Sequence, residues 1–150
     1  MNEVTSKLFC TTDLPSNILE YVPTVCPQCG SSLYLSSTGI DLICQNATSC
    51  PAQVLGRLSY FCGRNLGNIS GLSEKTLAKF VEKYGVVDIC DLYSLPFDKI
   101  AKEDGFGSKS AQKLQDSIAK SQEIVDYKFL AGLGIDGIGP EVAKLICEIL

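Results

Sequence analysis

The chain has 150 residues, 13 Lys plus Arg against 17 Asp plus Glu, and a formal net charge of −4. Its length allows one or two small domains and excludes a large multidomain enzyme. It contains no histidine, which excludes Ser-His and Cys-His catalysis and any histidine metal ligand. No apolar run approaches the roughly 20 residues of a membrane span. The first residues lack a secretory signal, so we expect a cytoplasmic protein with no membrane partner.

The charge is unevenly distributed along the chain. Residues 1–50 and 123–150 each carry a net charge of −3, whereas residues 51–122 carry +2. The basic side chains of this middle segment could face phosphate groups, although a mixed and solvated helix surface would have the same composition. Charge alone leaves both interpretations open.

Four of the eight cysteines form two pairs. Cys26 and Cys29 are separated by two residues, Cys44 follows after fourteen more, and Cys50 after a further five. Two thiolate pairs on a hairpin-length segment are typical of a closed tetrahedral zinc site. Because four cysteine ligands leave no open coordination position, the zinc would be structural and would hold a segment too small to bury its own core.

Other interpretations of the cysteines remain. A redox Cys-x-x-Cys motif would need a strand-helix context, whereas residues 33–35 and 40–43 predict two short strands after the first pair. A disulfide framework is the second alternative. The other cysteines show no paired spacing and are expected to be buried free thiols; they are Cys10, Cys62, Cys90 and Cys147.

The rest of the chain repeats with a period of about 33 residues. Gly71-Leu72-Ser73, Gly105-Phe106-Gly107 and Gly137-Ile138-Gly139 are each followed by apolar residues at helical spacing. These apolar positions are Leu77, Phe80, Tyr84, Ala111, Leu114, Ile118, Ala143, Ile146 and Leu150. The pattern predicts three units of helix, glycine hairpin and helix.

A glycine turn that opens a helix directs several backbone N–H groups and the positive end of the helix dipole toward one small concavity. Such a site binds phosphate without reading a base, so binding to a nucleic-acid backbone would depend on salt and not on sequence. Three helical hairpins that only pack together are the structural alternative. The repetition of the motif favours nucleic-acid binding.

These residues resemble the zinc-finger and helix-hairpin-helix region of bacterial-type NAD-dependent DNA ligases. The resemblance runs from about Val22 to Leu150 and rests on the Cys26-Pro27-Gln28-Cys29-Gly30, Cys50-Pro51-Ala52-Gln53, Ile69-Ser70-Gly71-Leu72, Gly105-Phe106-Gly107-Ser108-Lys109-Ser110-Ala111 and Leu133-Gly134-Ile135 segments. It implies a small four-cysteine zinc finger with a short β-hairpin at residues 23–56. A mainly α-helical region with three helix-hairpin-helix motifs, truncated at its C-terminus, would follow at residues 57–150. Residues 1–22 would be the tail of an oligonucleotide-binding barrel or disordered.

The resemblance implies the non-catalytic portion of such a ligase, which binds the duplex backbone around a nick in DNA replication and repair, in the cytoplasm at the nucleoid. The full enzyme uses NAD and magnesium; we expect this chain to lack the adenylation and barrel domains and to be inactive alone. The partner would be double-stranded DNA, bound without sequence preference. The expected contacts are Gly71, Gly105, Phe106, Gly107, Ser108, Gly137, Ile138 and Gly139, with charge from Arg64, Lys109 and Lys113.

The chain departs from the family pattern at its first hairpin, where Ser73 replaces the second glycine. This hairpin is expected to bind phosphate poorly or to serve packing. Residues 102–105 read Lys-Glu-Asp-Gly, like the ligase nucleotidyl-transfer motif, but Gly105 belongs to the second hairpin, so we interpret the match as coincidental. One alternative is a stand-alone zinc and helical-hairpin adaptor for DNA or a protein. A weaker one is a nuclease or glycosylase that uses Asp136 or Lys102.

Overall fold

The structure is a computed structural model that describes residues 9–10, 17, 22–36 and 38–150. The chain divides into two units, Met1–Val54 and Leu55–Leu150. The barrel tail or disordered segment predicted for residues 1–22 lies almost entirely outside the described residues. In the part of the chain that is described, no helix is both long and apolar enough to cross a membrane.

The first unit contains a small antiparallel sheet. Its strands are β1 (Phe9–Cys10), β2 (Leu33–Leu35) and β3 (Leu42–Cys44), in that order across the sheet. The predicted hairpin is present, but its second strand begins two residues later than expected. The turn explains this shift: the Ser36 amide donates to the Asp41 carbonyl at 2.8 Å, which places residues 40 and 41 in the turn.

The second unit is helical. Its elements are α1 (Pro51–Cys62, which begins in the first unit), α2 (Glu74–Tyr84), α3 (Ile89–Leu92), α4 (Phe97–Ile100), α5 (Ser108–Ser121), α6 (Asp126–Gly132) and α7 (Pro140–Ile149). The predicted hairpins connect α1 to α2, α4 to α5 and α6 to α7. The sequence did not predict α3, a single turn whose first amides are satisfied by Asp88 and Asp91 in a capping box.

The apolar face of the repeats forms the core of this unit. The buried positions are Leu77, Phe80, Ala111, Leu114, Ile118 and Ala143. Tyr84 and Ile146 are half-buried. Leu150, the last position of the pattern, follows the end of α7 at Ile149 and is fully exposed.

Phe61 is fully buried, and two glycines make room for it. A Cβ atom on Gly132 would lie 2.8 Å from Cδ2 of the ring, and one on Gly67 would lie 2.8 Å from the Phe61 carbonyl oxygen. Phe129 completes the contact edge-on, with ring centroids 6.4 Å apart. The end of α1 can therefore pack on α6 only because these positions have no side chain.

We expect Gly132→Ala to destabilise the helical unit by about 1–3 kcal/mol, because the added methyl group must displace a fixed aromatic ring. Gly56→Ala is the matched control: Gly56 lies inside α1, and a Cβ there meets no atom within 4 Å. This change should stabilise the protein by about 0.5–1 kcal/mol through helix propensity. Urea denaturation of the two variants measures both effects, and equal midpoints would contradict the packing argument.

Candidate metal centre and nucleic-acid interface

The Sγ atoms of Cys26, Cys29, Cys44 and Cys50 all lie within 4.8 Å of one another. Cys26 Sγ is 3.9 Å from Cys50 Sγ, and Cys29 Sγ is 3.6 Å from Cys44 Sγ. A tetrahedral site with metal–sulfur bonds of about 2.3 Å has sulfur–sulfur edges of about 3.8 Å. The cluster therefore has the dimensions to hold one metal ion.

The same distances bear on the two alternative interpretations. The four cysteines are free thiols, and their separations far exceed the roughly 2.05 Å of a disulfide bond. Both of these contacts join one member of the first pair to one member of the second. This crossed arrangement differs from a redox motif, in which the two cysteines of Cys-x-x-Cys react with each other.

The loop of the first pair is closed by its own backbone. The Cys26 amide donates to the Ser31 carbonyl and the Gly30 amide donates to the Cys26 carbonyl, both at 2.8 Å. Gly30 has a φ of +71°, which glycine adopts without strain. The turn brings Cys26 and Cys29 to the same side of this loop.

The loop of the second pair depends on Asn46, a residue outside the predicted sites. Its side-chain oxygen accepts from the Ser49 amide at 3.2 Å, and the Cys50 amide donates to its carbonyl at 3.1 Å. Its Nδ2 atom donates to Ser31 Oγ at 3.4 Å and so joins the two cysteine loops. The sequence signal for it was the Asn itself, because a short Asn side chain often accepts a hydrogen bond from a nearby backbone amide.

The pKa values of two thiols in the cluster are shifted in opposite directions. Hydrogen bonds from the side chain and backbone of Ser31 lower the pKa of Cys29 to about 6. A backbone hydrogen bond from Asn46 lowers the pKa of Cys44, but burial and the other three thiols outweigh it and raise the pKa to about 12. Because thiolates held this close repel one another, complete ionisation of the cluster requires a cation.

The remaining cysteines divide by location. Cys62 is buried, as predicted, and burial raises its pKa to about 12. The prediction of burial is wrong for Cys90, which is exposed because α3 directs Ile89 and Leu92 inward and leaves Cys90 on its outer face. Cys147 is half-buried, and the side chain of Cys10 lies outside what the structure describes.

All three hairpins turn through a left-handed glycine. The φ angles are +90° at Gly71, +86° at Gly105 and +78° at Gly137. Other L-residues are strained in this region, so glycine is required here by the backbone itself.

The third residue of each turn is different, because it precedes the helix in an extended conformation that any residue can adopt. Gly107 has a φ of −110° and Gly139 a φ of −82°, and a Cβ on either would meet no atom within 4 Å. Neither helix has a side-chain cap. In the described part of the chain, the amides of Gly107, Ser108 and Lys109 have no hydrogen-bond acceptor. The starts of α5 and α7 are thus open to a ligand.

The first hairpin is closed by its own side chains. Ser73 Oγ accepts from the Thr76 amide at 3.2 Å, which caps α2, and Glu74 places a negative charge in the first turn. The Ser70 amide donates to Ser117 Oγ on α5 at 2.8 Å. These two hydrogen bonds occupy amides that a phosphate would need, and they agree with the expectation that this hairpin serves packing; the acidic residue alone does not distinguish it from the third hairpin, because Glu141 lies in the first turn of α7.

The other predicted contact residues fall into two groups. Lys109, Lys113 and Arg64 are exposed, and the first turn of α5 contains no acidic residue. The side chains of Phe106 and Ile138 are occupied by packing: the Phe106 ring lies 5.9 Å from that of Phe80, and Ile138 packs on the Leu66, Ala131 and Ala143 cluster. At these two positions only the backbone can face a ligand.

The Lys-Glu-Asp-Gly segment at residues 102–105 forms the turn that leads into the second hairpin. The Glu103 carboxylate accepts a hydrogen bond from the Tyr84 hydroxyl at 2.7 Å and forms an ion pair with Lys83. Its carbonyl accepts from the Phe106 amide at 2.9 Å. These contacts hold the second hairpin against α2, and the sequence did not reveal them because the partners are about 20 residues apart.

The folded motifs define a helix-hairpin-helix protein, and residues 64–120 match the family model described as SAM-like helix-hairpin-helix tandem. The chain is also 41% identical over 122 residues to the DNA ligase of Clostridium perfringens strain ATCC 13124, covering 81% of this chain and 18% of the relative. It is 36% identical over 137 residues to the DNA ligase of Leptospira biflexa strain Patoc 1 (Ames), covering 89% and 20%.

The "DNA ligase 1" of Clostridium acetobutylicum is 36% identical over 126 residues, 84% of this chain and 19% of the relative. These matches confirm the resemblance stated from the sequence: the chain is a relative of one segment of the DNA ligases. It spans about a fifth of the length of the curated relatives that it matches.

We expect Glu103→Gln to make the free energy of unfolding less dependent on pH in the acidic range. Hydrogen bonds from Lys83 and Tyr84 lower the pKa of Glu103 from 4.5 in the folded state, so its contribution to stability is complete above pH 4.5 and is lost as the pH falls through the folded value. The free energy of unfolding of the wild type should exceed that of the variant most at neutral pH. Urea denaturation from pH 7 downward measures this difference. Exposed Glu82→Gln is the control, and a pH-independent difference for Glu103→Gln would contradict the assignment.

Proposed function

We propose that this chain is the non-catalytic, DNA-binding portion of an NAD-dependent DNA ligase and that it binds duplex DNA around a nick in replication and repair. The observation that carries the proposal is the pair of uncapped helix starts at Gly107 and Gly139, each of which follows a left-handed glycine turn. The similarity to DNA ligases supports the choice of DNA as the ligand.

In this proposal, one backbone phosphate binds the amides at the start of α5, and another binds those at the start of α7. Lys109, Lys113 and Arg64 add charge and make affinity depend on salt. Because backbone amides do not distinguish bases, the binding is independent of sequence. Such a protein would work in the cytoplasm, at the nucleoid.

The metal of the cysteine cluster is proposed to be zinc, which accepts four thiolates in a tetrahedron. The crossed distances of 3.6 and 3.9 Å fit such a site. Zinc there would fix the two cysteine loops and would take no part in chemistry. NAD and magnesium would serve the catalytic part of such a ligase, and we assign no residue of this chain to them.

We expect Gly107→Ala combined with Gly139→Ala to weaken duplex binding by roughly tenfold or more, because the added methyl groups obstruct phosphate approach to amide hydrogen bonds of about 1 kcal/mol each. The fold should persist, since both residues have extended backbones with free space around them. The measurement is fluorescence anisotropy with nicked and intact duplexes from low to moderate salt.

Ser73→Ala is the matched control, since it changes the same position of the first hairpin. It should cost about 1 kcal/mol of stability through loss of the helix cap and leave duplex affinity unchanged. Equal weakening by both changes would contradict the distinction between hairpins. No duplex binding by the wild type at low salt would favour the adaptor that binds a protein partner.

We expect the protein to bind one zinc ion per chain, and Cys29→Ser to abolish stoichiometric binding. Metal analysis of purified protein gives the stoichiometry, and circular dichroism after chelation reports the loss of structure in the first unit. Cys90→Ser is the control, because this exposed thiol lies outside the cluster. Four thiols that are oxidised in the native protein, with no zinc bound, would refute the assignment.

A further inference from the structure

A second concave surface lies beside the third hairpin and is built from side chains. It is a cavity of about 400 Å³ formed by the segment after α1, the start of α6 and the first turns of α7. We call it the Arg64 cavity; its lining residues are Arg64, Asn65, Tyr127, Lys128, Pro140, Glu141 and Lys144. Another cavity, lined by the turn residues Gly137 and Gly139 with Tyr60, is separate from it.

The Arg64 cavity collects positive charge from a part of the chain that is otherwise acidic. Residues 123–150 contain five acidic residues and only two basic ones, Lys128 and Lys144, and both line this cavity. Arg64, one of two arginines in the chain, lines it as well. Grouping of the scarce cations at one concavity indicates an anionic ligand.

These charges are not used within the protein. Across residues 22–36 and 38–150, the single ion pair joins Lys83 to Glu103, so Arg64, Lys128 and Lys144 remain unpaired. Glu141 also lines the cavity and leaves a net of two positive charges there. Unpaired cations around one cavity repel one another, and a bound anion would remove that cost.

The walls of the cavity are fixed by the core. Tyr127 packs against the buried cluster of Leu66, Ala131 and Ala143, which orders the start of α6. Lys128, the next residue, is half-buried. Pro140 begins α7 on the other side, so the positive end of that helix faces the same region.

We propose that the Arg64 cavity binds a phosphate group through Arg64, Lys128 and Lys144. Arginine suits this ligand because its planar guanidinium donates two hydrogen bonds to phosphate oxygens, and the lysines supply point charges. If the phosphate belongs to duplex DNA, the inference rests on the proposed function and adds a side-chain contact next to the backbone site of the third hairpin. A free phosphate has the same chemistry, and the experiment separates the two sources.

The first arm uses inorganic phosphate and the full chain. Titration with phosphate, against chloride at equal ionic strength, should shift the NMR amide signals of Asn65, Lys128 and Lys144. The shifts should disappear in Lys128→Gln combined with Lys144→Gln and become larger in Glu141→Gln, which removes the opposing carboxylate. Absence of shifts at these amides in the wild type, together with no effect of the lysine changes on duplex binding, would overturn the proposal.

The second arm uses duplex DNA. Loss of Lys128 and Lys144 should lower the slope of log affinity against log salt by about 1–2, since each phosphate contact contributes about 0.9. Lys75→Gln combined with Lys99→Gln, which removes the same charge elsewhere, should lower it by much less. If the two double variants lower this slope equally, the lysines of the cavity act only through the overall charge of the protein, and the proposal that the cavity is a site is overturned.

The two arms distinguish this proposal from the proposed function. If duplex binding persists and depends on Gly107 and Gly139 but not on the lysines, the function stands and the DNA role of the cavity falls. If the wild type binds no duplex but phosphate shifts the cavity amides, the proposed function fails and the cavity is a site for a free phosphate compound.

Discussion

The left-handed backbone at Gly71, Gly105 and Gly137 is the constraint on which the helical unit depends. Each glycine turns the chain within a few residues, so that a helix begins just after the turn, and at Gly105 and Gly137 the two flanking helices contact each other. A residue with a Cβ atom would resist this conformation, and the helix would start elsewhere or at another angle. The direction of the amides at Gly107 and Gly139 follows from the same turn. The backbone torsion that builds the core therefore also creates the proposed phosphate sites.

An acidic chain can bind a polyanion if its positive potential is local and fixed. The net charge of −4 opposes association at long range, but it has less effect at a helix start, where the amide dipoles are held in position by the fold. The Arg64 cavity extends this principle from backbone to side chains, since it gathers cations from three segments onto one surface. Attraction to DNA would then act mainly at short distance, after encounter.

The parts of the structure that depend on local spacing could be predicted from the sequence. The cysteine pairs, the three glycine turns and most of the buried helix face follow from residues within a turn or two of one another. Other features depend on hydrogen bonds between residues far apart in sequence. These bonds join Asn46 to Ser31, Ser70 to Ser117, and Glu103 to Tyr84. Hydrogen bonds of this kind leave no periodic pattern, because polar residues satisfy one another in many arrangements. The exposure of Cys90 likewise depends on α3, a single turn set by its capping box.

The cap on α2 has a consequence for the order in which the hairpins become rigid. Ser73 satisfies the Thr76 amide within the free protein, so the first hairpin is already complete without a ligand. The amides at the start of α5 have no such partner in the described chain and exchange their hydrogens with solvent unless something covers them. If a phosphate binds as proposed, the closed first turn would serve as a fixed scaffold and the two open turns would gain their last hydrogen bonds only in the complex. Part of the entropic cost of ordering these turns would then fall on association instead of on folding.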